Sequence, residues 1–212
     1  MKSPGQKITA DELKTLHREK RKAIRERLAE FSSIRDDNYF YELVYCLLTP
    51  QSSAVNAAKA VGQLKEAEFF NTGIDPEPYL HQPDYYIRFH KTKAKHLRTA
   101  REQFPVIRQH CLNGSTSMEL REWIAANVPG AGRKEASHFL RNIGHRNLAI
   151  LDRHILKNLV RVGVIPCLPK SLTSKRYLDI ERKFLKFSGK IGIPMDELDL
   201  LFWSMETGEI LK

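Results

Sequence analysis

Between Thr116 and Asn142 the sequence reads helix, tight turn, helix, and a helical hairpin is the arrangement that accommodates that order. Thr116 and Glu119 form a capping box ahead of Leu120, Trp123 and Ile124, which recur at helical spacing. Pro129 ends that helix because the residue before a proline is driven out of the α region, and Gly130 and Gly132 supply backbone freedom for the turn. A second helix then runs from Arg133 to Asn142. Two nucleotide loops share features with "PGAGRK" and both fail. A dinucleotide fingerprint needs a preceding strand and a third glycine where Glu135 stands, and a P-loop needs four residues between its glycines and a Lys-Ser or Lys-Thr after the second. Backbone N–H groups from Gly130 to Arg133, at the positive end of the second helix, suit a phosphate without reading bases. An ordinary αα-hairpin using glycine for geometry alone reads the same way, so the decision has to come from outside it.

The remainder of the chain is also helical in pattern, and the expected class is all-α. Thr9 and Glu12 cap a charged helix carrying Leu13, Leu16, Ile24, Leu28 and Phe31. Further helices are expected over Tyr39 to Leu48, Ser52 to Leu64, Lys91 to Cys111, Asp152 to Val162, Ser174 to Ser188 and Met195 to Trp203. "NTGIDPEPYLHQPDYY" and "SGKIGIP" read as connections, and no repeat or low-complexity tract interrupts the chain.

Charge narrows the class of partner. With 35 Lys plus Arg against 25 Asp plus Glu, the net charge is +10, which favours a polyanion, nucleic acid first and an anionic membrane surface second. The membrane reading weakens because Leu43 to Leu48 is about the longest apolar run. The first thirty residues are too charged for a secretory signal, so an intracellular location, in cytoplasm or nucleoid, is expected. Cys46, Cys111 and Cys167 form no CxxC pair; they indicate neither a disulfide framework nor a cysteine-ligated metal, and are expected as small core residues.

Two residues give the hairpin a chemical meaning. Lys134 falls in the first turn of the second helix, where the positive helix end and the neighbouring Arg133 both favour a neutral amine, the form a Schiff-base nucleophile needs. A solvated lysine touching a phosphate explains the hairpin equally well. Asp152, in "LDRHIL", is an N-cap for the following helix, which is by itself a sufficient reason for it. A capped carboxylate is also held rigidly, as a group stabilising positive charge on a sugar must be.

Here the chain resembles the helix-hairpin-helix DNA glycosylase superfamily, in which such a hairpin is followed by an aspartate before another helix. Lys134 and Asp152 are 18 residues apart, matching the interval in its bifunctional members. "LLTPQSSAVNAA", "IRFHKTKAKHL", "PGAGRKEASHFLRNIG", "LDRHIL" and "LFWSMETGEILK" look like the second, archaeal-type class of 8-oxoguanine DNA glycosylases with AP lyase activity, a resemblance covering Tyr39 to the end. The four-cysteine cluster loop of the endonuclease III branch is missing. A monofunctional enzyme would lack the lysine, and the larger eukaryotic-type enzymes have an N-terminal domain for which no room is expected before Asp11.

The resemblance implies a helix-hairpin-helix glycosylase fold of two helical subdomains, residues 36–145 and residues 1–35 with 146–212, with DNA and an extruded base in a cleft between them. It implies Lys134 as nucleophile and Asp152 as the stabilising carboxylate, with Gly130, Gly132 and Arg133 on the DNA backbone. Phe89, Trp203 and the carboxylate of Lys212 would recognise the base, although core packing explains Phe89 and Trp203 as well. Gln51 and His154 would contact the gap or the opposite strand, and His138 is expected on a helix surface. The partner is duplex DNA bearing 8-oxoguanine or an abasic site, engaged by a monomer, with no membrane, metal or cofactor. The competing readings are a related glycosylase for another oxidised base and a non-catalytic helix-hairpin-helix DNA-binding module.

Overall fold

The computed structural model describes residues 7–210 and divides into two compact units, Met1–Ser32 with Gly144–Lys212, and Ser33–Ile143. The second unit is continuous in sequence and is built on α2 (Tyr39–Leu48). Phe40, Leu43, Val44, Cys46, Leu47 and Leu48 are all buried, so α2 is apolar around most of its circumference, as a central helix must be. Around it lie α3 (Ala54–Glu66), α5 (His90–Leu112) and α7 (Arg133–Asn142), with α6 (Ser117–Asn127) packed on α7. At one end Phe40 meets Phe69 and Phe70, from the single turn α4 (Phe69–Thr72), and Phe104 of α5 at ring separations of 4.7–5.7 Å. Toward α7, Asn142 Nδ2 donates to the buried Glu42 Oε2 of the same α2 turn at 3.1 Å, and Arg141 donates to Asn142 Oδ1. A buried polar group is costly unless satisfied, so this network fixes how α7 seats on α2.

The other unit joins the two ends of the sequence. Leu13, Ile24, Leu28 and Phe31 of α1 (Ala10–Ser33) share one core with Ile155 and Leu159 of α8 (Arg153–Arg161), Phe184 of α9 (Ser174–Ile191), and Leu201 and Phe202 of α10 (Met195–Thr207). The Thr9–Glu12 capping box is present: Glu12 N–H donates to Thr9 Oγ1 at 3.2 Å and Thr9 N–H to Glu12 Oε2 at 3.0 Å. At the far end of α1 the Arg146 guanidinium donates to the Leu28 carbonyl at 2.7 Å and the Ser32 hydroxyl at 2.6 Å. Gly144, at φ +97°, lets the chain pass the same spot, since a Cβ there would lie 3.1 Å from Ser32 Cα.

Helices form where the apolar spacing places them, and α2 and α7 keep the expected bounds. Four expectations change. "SGKIGIP" is not a connection throughout, because α9 continues to Ile191 and stops only at Gly192, whose φ is +73°. The segment after Gly73 holds a 3₁₀ turn, Glu77–Leu80, and a two-residue antiparallel hairpin, β1 (His81–Gln82) with β2 (Tyr85–Tyr86). His138 is buried against Tyr45 on α2, not on a surface, with ring centroids 5.8 Å apart. Cys167 is exposed in the Pro166–Pro169 loop and Cys111 only partly buried, which leaves Cys46 alone as a core cysteine.

Candidate active site

The hairpin forms as its residues require. Thr116 and Glu119 complete the capping box of α6, and Val128, extended ahead of Pro129, ends it. Gly130 has φ +84°, and a Cβ there would collide with His96 Nδ1 on α5, so both backbone and space demand glycine. Gly132 differs from expectation. At φ −78° and ψ −177° it is ordinary extended backbone, and its N–H donates to Glu135 Oε2 at 3.2 Å. That amide is therefore turned toward a carboxylate of its own helix. The turn borders a shallow concavity of ≈ 450 Å³ whose lining includes Asn127, Pro129, Gly130 and Ala131.

Two carboxylates balance the positive charge at the start of α7. Arg133 pairs with Glu122 of α6, which holds the Glu122 carboxyl below the usual range. Lys134 Nζ lies 3.1 Å from Glu135 Oε1, and the lysine side chain is about one quarter exposed, at 26 %. The nucleophile candidate is thus half-buried beside an acceptor, with its like-charged neighbour neutralised by a separate acid.

In the other unit, Asp152 caps α8 with one oxygen only. Oδ1 accepts the N–H groups of His154 and Ile155, both at 2.8 Å, so Oδ2 takes no part in the cap. A carboxylate divided in this way can hold a helix end and face a cation at the same time. Nearby, the rings of His154 and Trp203 meet edge to face at 6.0 Å. Trp203 is only partly buried, whereas Leu200, Leu201 and Phe202 beside it lie in the core. The structure therefore sets His154 beside a residue expected to recognise the base, a grouping their positions in sequence do not reveal. Lys212 lies outside the described residues.

Gln51 and Phe89 are both exposed, Phe89 at 50 %, and both have left-handed backbones, φ +56° and +60°. For residues that bear side chains this is a costly conformation, about 1–3 kcal/mol each, and it persists only where surrounding contacts enforce it. The Arg88 guanidinium sits 5.1 Å from the Phe89 ring centroid. Sequence reasoning missed Lys93, which is 6 % exposed. It shares a helix face with Ala94, Leu97, Ala100, Phe104 and Ile107, and that apolar periodicity was the signal.

Comparison with known proteins places these elements in context. Residues 24–193 match the family model described as 8-oxoguanine DNA glycosylase. An 8-oxoguanine DNA glycosylase/AP lyase of Fusobacterium nucleatum is 42% identical over 212 residues, covering 95% of this chain and 97% of the relative. One from Korarchaeum cryptofilum is 39% identical, with 91% of each chain covered. Among solved structures, the Methanocaldococcus jannaschii 8-oxoguanine glycosylase/lyase in complex with 15mer DNA containing 8-oxoguanine superimposes with a TM-score of 0.86 at 30% identity. It covers 96% of this chain and 99% of that one.

Proposed function

Because this chain belongs to the 8-oxoguanine DNA glycosylase family, we propose that it excises 7,8-dihydro-8-oxoguanine from duplex DNA and nicks the resulting abasic site, with Lys134 and Asp152 as the reacting pair. C1′ of a stacked nucleotide is out of reach, so the damaged nucleotide is flipped out first. Asp152 Oδ2 stabilises positive charge on the sugar while Oδ1 keeps the cap. As a neutral amine, its proton given up to solvent, Lys134 Nζ attacks C1′ as the C1′–N9 bond breaks and the purine leaves with a proton; loss of O4′ from C1′ then opens the sugar to the imine. The imine formed then draws electrons for β-elimination of the 3′ phosphate. No metal or redox cofactor enters the scheme.

Phe89 and Trp203 supply faces for the extruded purine, with the terminal carboxylate of Lys212 accepting from its edge. Gln51 serves the gap or the opposite strand, and His154 works beside Trp203. Gly130, Gly132 and Arg133 belong to the phosphate contact, with the Glu135 and Glu122 carboxylates nearby. Among the described residues no helix is long and apolar enough to cross a membrane.

The observation that carries this reading is the division of Asp152, since a residue needed only as a cap could equally be Asn. Borohydride trapping on an 8-oxoguanine duplex tests it, with an oxidised-pyrimidine duplex beside it. One covalent band on the first duplex is the expected result; trapping only on the second moves the substrate, and trapping on neither removes the chemistry. Asp152→Asn then separates the two roles. Native melting temperature with excision down by about a hundred-fold or more is expected, and unchanged excision would leave Asp152 a cap alone.

A further inference from the structure

A buried ammonium needs a reason, because desolvating a charge costs several kcal/mol unless its donors are satisfied. Lys93, in the first turn of α5, is such a group. Its Nζ donates to the carbonyls of Leu48 at 2.7 Å and Pro50 at 2.6 Å, and to the Ser52 hydroxyl at 3.3 Å, so its three donors find three acceptors. Two of those acceptors stand on either side of Gln51. Ser52 Oγ also accepts the Arg88 N–H at 3.0 Å, and the Lys93 N–H donates to the Phe89 carbonyl at 2.9 Å. One residue is therefore bonded to two of the four segments that, among the described residues, carry a side-chain-bearing residue in left-handed conformation: those of Gln51 and Phe89, the others being at Glu68 and Asn147. A helix C-cap alone accounts for the bond to Leu48. It does not account for Pro50, for Ser52, or for burying the charge, since an exposed lysine would cap a helix end without desolvation.

We propose that Lys93 is the positioning residue for base capture: its buried ammonium, with Ser52 as relay, locks the two turns that present Gln51 and Phe89 to damaged DNA. Lys93 touches neither sugar nor base. The assignment rests on the glycosylase reading given above, which supplies the roles of Gln51 and Phe89. Burial, and then the charge of Lys134, push the Lys93 ammonium down to about 8. The lock is thus held at an electrostatic cost that a role in packing alone would not require.

The test compares two substrates in single turnover. Lys93→Met keeps the apolar stem of the side chain and removes the terminal ammonium with its donors. A misplacement of about 1 Å in a binding group costs on the order of a hundred-fold, so excision of 8-oxoguanine should fall about ten- to hundred-fold. Nicking of a preformed abasic site, which needs Lys134 but no base capture, should stay within about three-fold. Equal loss on both substrates would place Lys93 in the fold or in the chemistry, and no loss on either would remove its role; both overturn the proposal. If Lys93→Met fails to fold, Ser52→Ala decides. It cuts the relay to Arg88 while sparing both carbonyl bonds, and excision lost ahead of nicking at native melting temperature supports the lock, whereas an unchanged ratio overturns it. Amide hydrogen exchange at Ser52, Arg88 and Phe89 should quicken in both variants. That readout needs no activity, so a native protein that excises nothing would sink the glycosylase reading and still leave the lock measurable.

Discussion

The α6–α7 hairpin and the pair of turns around Gln51 and Phe89 both leave the common backbone regions, and they do so differently. The hairpin turns on Gly130 at φ +84°, where no side chain is wanted and His96 leaves none room. The other two turns place Gln and Phe at φ +56° and +60°, where glycine would be cheaper. At Gly130 the backbone alone is exposed to a partner, whereas at Gln51 and Phe89 the strain accompanies side chains for which DNA contacts are proposed. The hairpin is correspondingly held by local devices, the Thr116–Glu119 capping box, the Gly132 N–H bond to Glu135 and a proline, whereas the strained turns are held from a distance by Lys93.

The largest expected effect tests the hairpin's side of this contrast. Lys134→Gln should abolish borohydride trapping and lower excision by at least about a thousand-fold, while duplex affinity stays within a few-fold because backbone supplies the phosphate contacts. Undiminished trapping would move the nucleophile elsewhere. Next comes Gly130→Ala, which faces both a positive φ and the His96 ring and should cost about 2–4 kcal/mol in denaturant unfolding. A cost below about 0.5 kcal/mol would mean that the turn relaxes freely and that the contrast is overstated.

The third effect is smaller and depends on pH. The folded-state value for Lys93, about 8, lies below its ordinary 10.5, so the unfolded chain binds more protons between those limits. The group therefore carries its full destabilising cost below about 8 and loses it as pH climbs towards 10.5, so stability rises across that window by on the order of 3 kcal/mol. Measured against native protein, Lys93→Met should lack that rise; parallel curves would show that the ammonium carries no such burden. Smallest is Gln51→Gly, which should raise stability by about 0.5–1 kcal/mol while reducing excision several-fold. A fall in stability would remove the claim of strain, since the two glycine exchanges are expected to act with opposite sign.

Much of the architecture follows from periodicity and caps. Thr116, Glu119, Thr9, Glu12 and Asp152 announce helix starts because capping is chemistry local to four residues. Gly130 is legible in the same way. Gly132 is not, since a glycine letter does not say whether its freedom is used, and here an extended backbone spares that freedom. Ser188 to Ile191 looked like a connection because glycine discourages helices, yet the packing of Ile191 carries α9 through Gly189. His138 is polar by type, yet its ring meets Tyr45 edge to face and buries there. Among the candidate site residues, Lys134, Asp152, Phe89 and Trp203 could be nominated from sequence. What could not be read was Glu135 beside Lys134, one Asp152 oxygen left outside the cap, and His154 beside Trp203, because each depends on rotamers and on distance in space. Lys93 was hidden by its charge, which outweighs a correct apolar spacing in any reading by residue type.

The unit that carries Asp152 closes only when the two ends of the sequence meet, and this orders events during synthesis. The continuous unit, Ser33–Ile143, leaves the ribosome whole and can fold as soon as it emerges. Helix α1 leaves before it, yet Leu13, Ile24, Leu28 and Phe31 find their core partners on α8, α9 and α10, which are translated after it. At about 5–20 residues per second the nascent helix waits on the order of ten seconds with its apolar seam unpaired. Along that seam Lys14, Arg18, Arg21 and Arg25 form an exposed basic row. Their charge keeps the waiting segment hydrated and discourages its association with other nascent chains, so solubility in the interval depends on the same residues that make the finished protein basic.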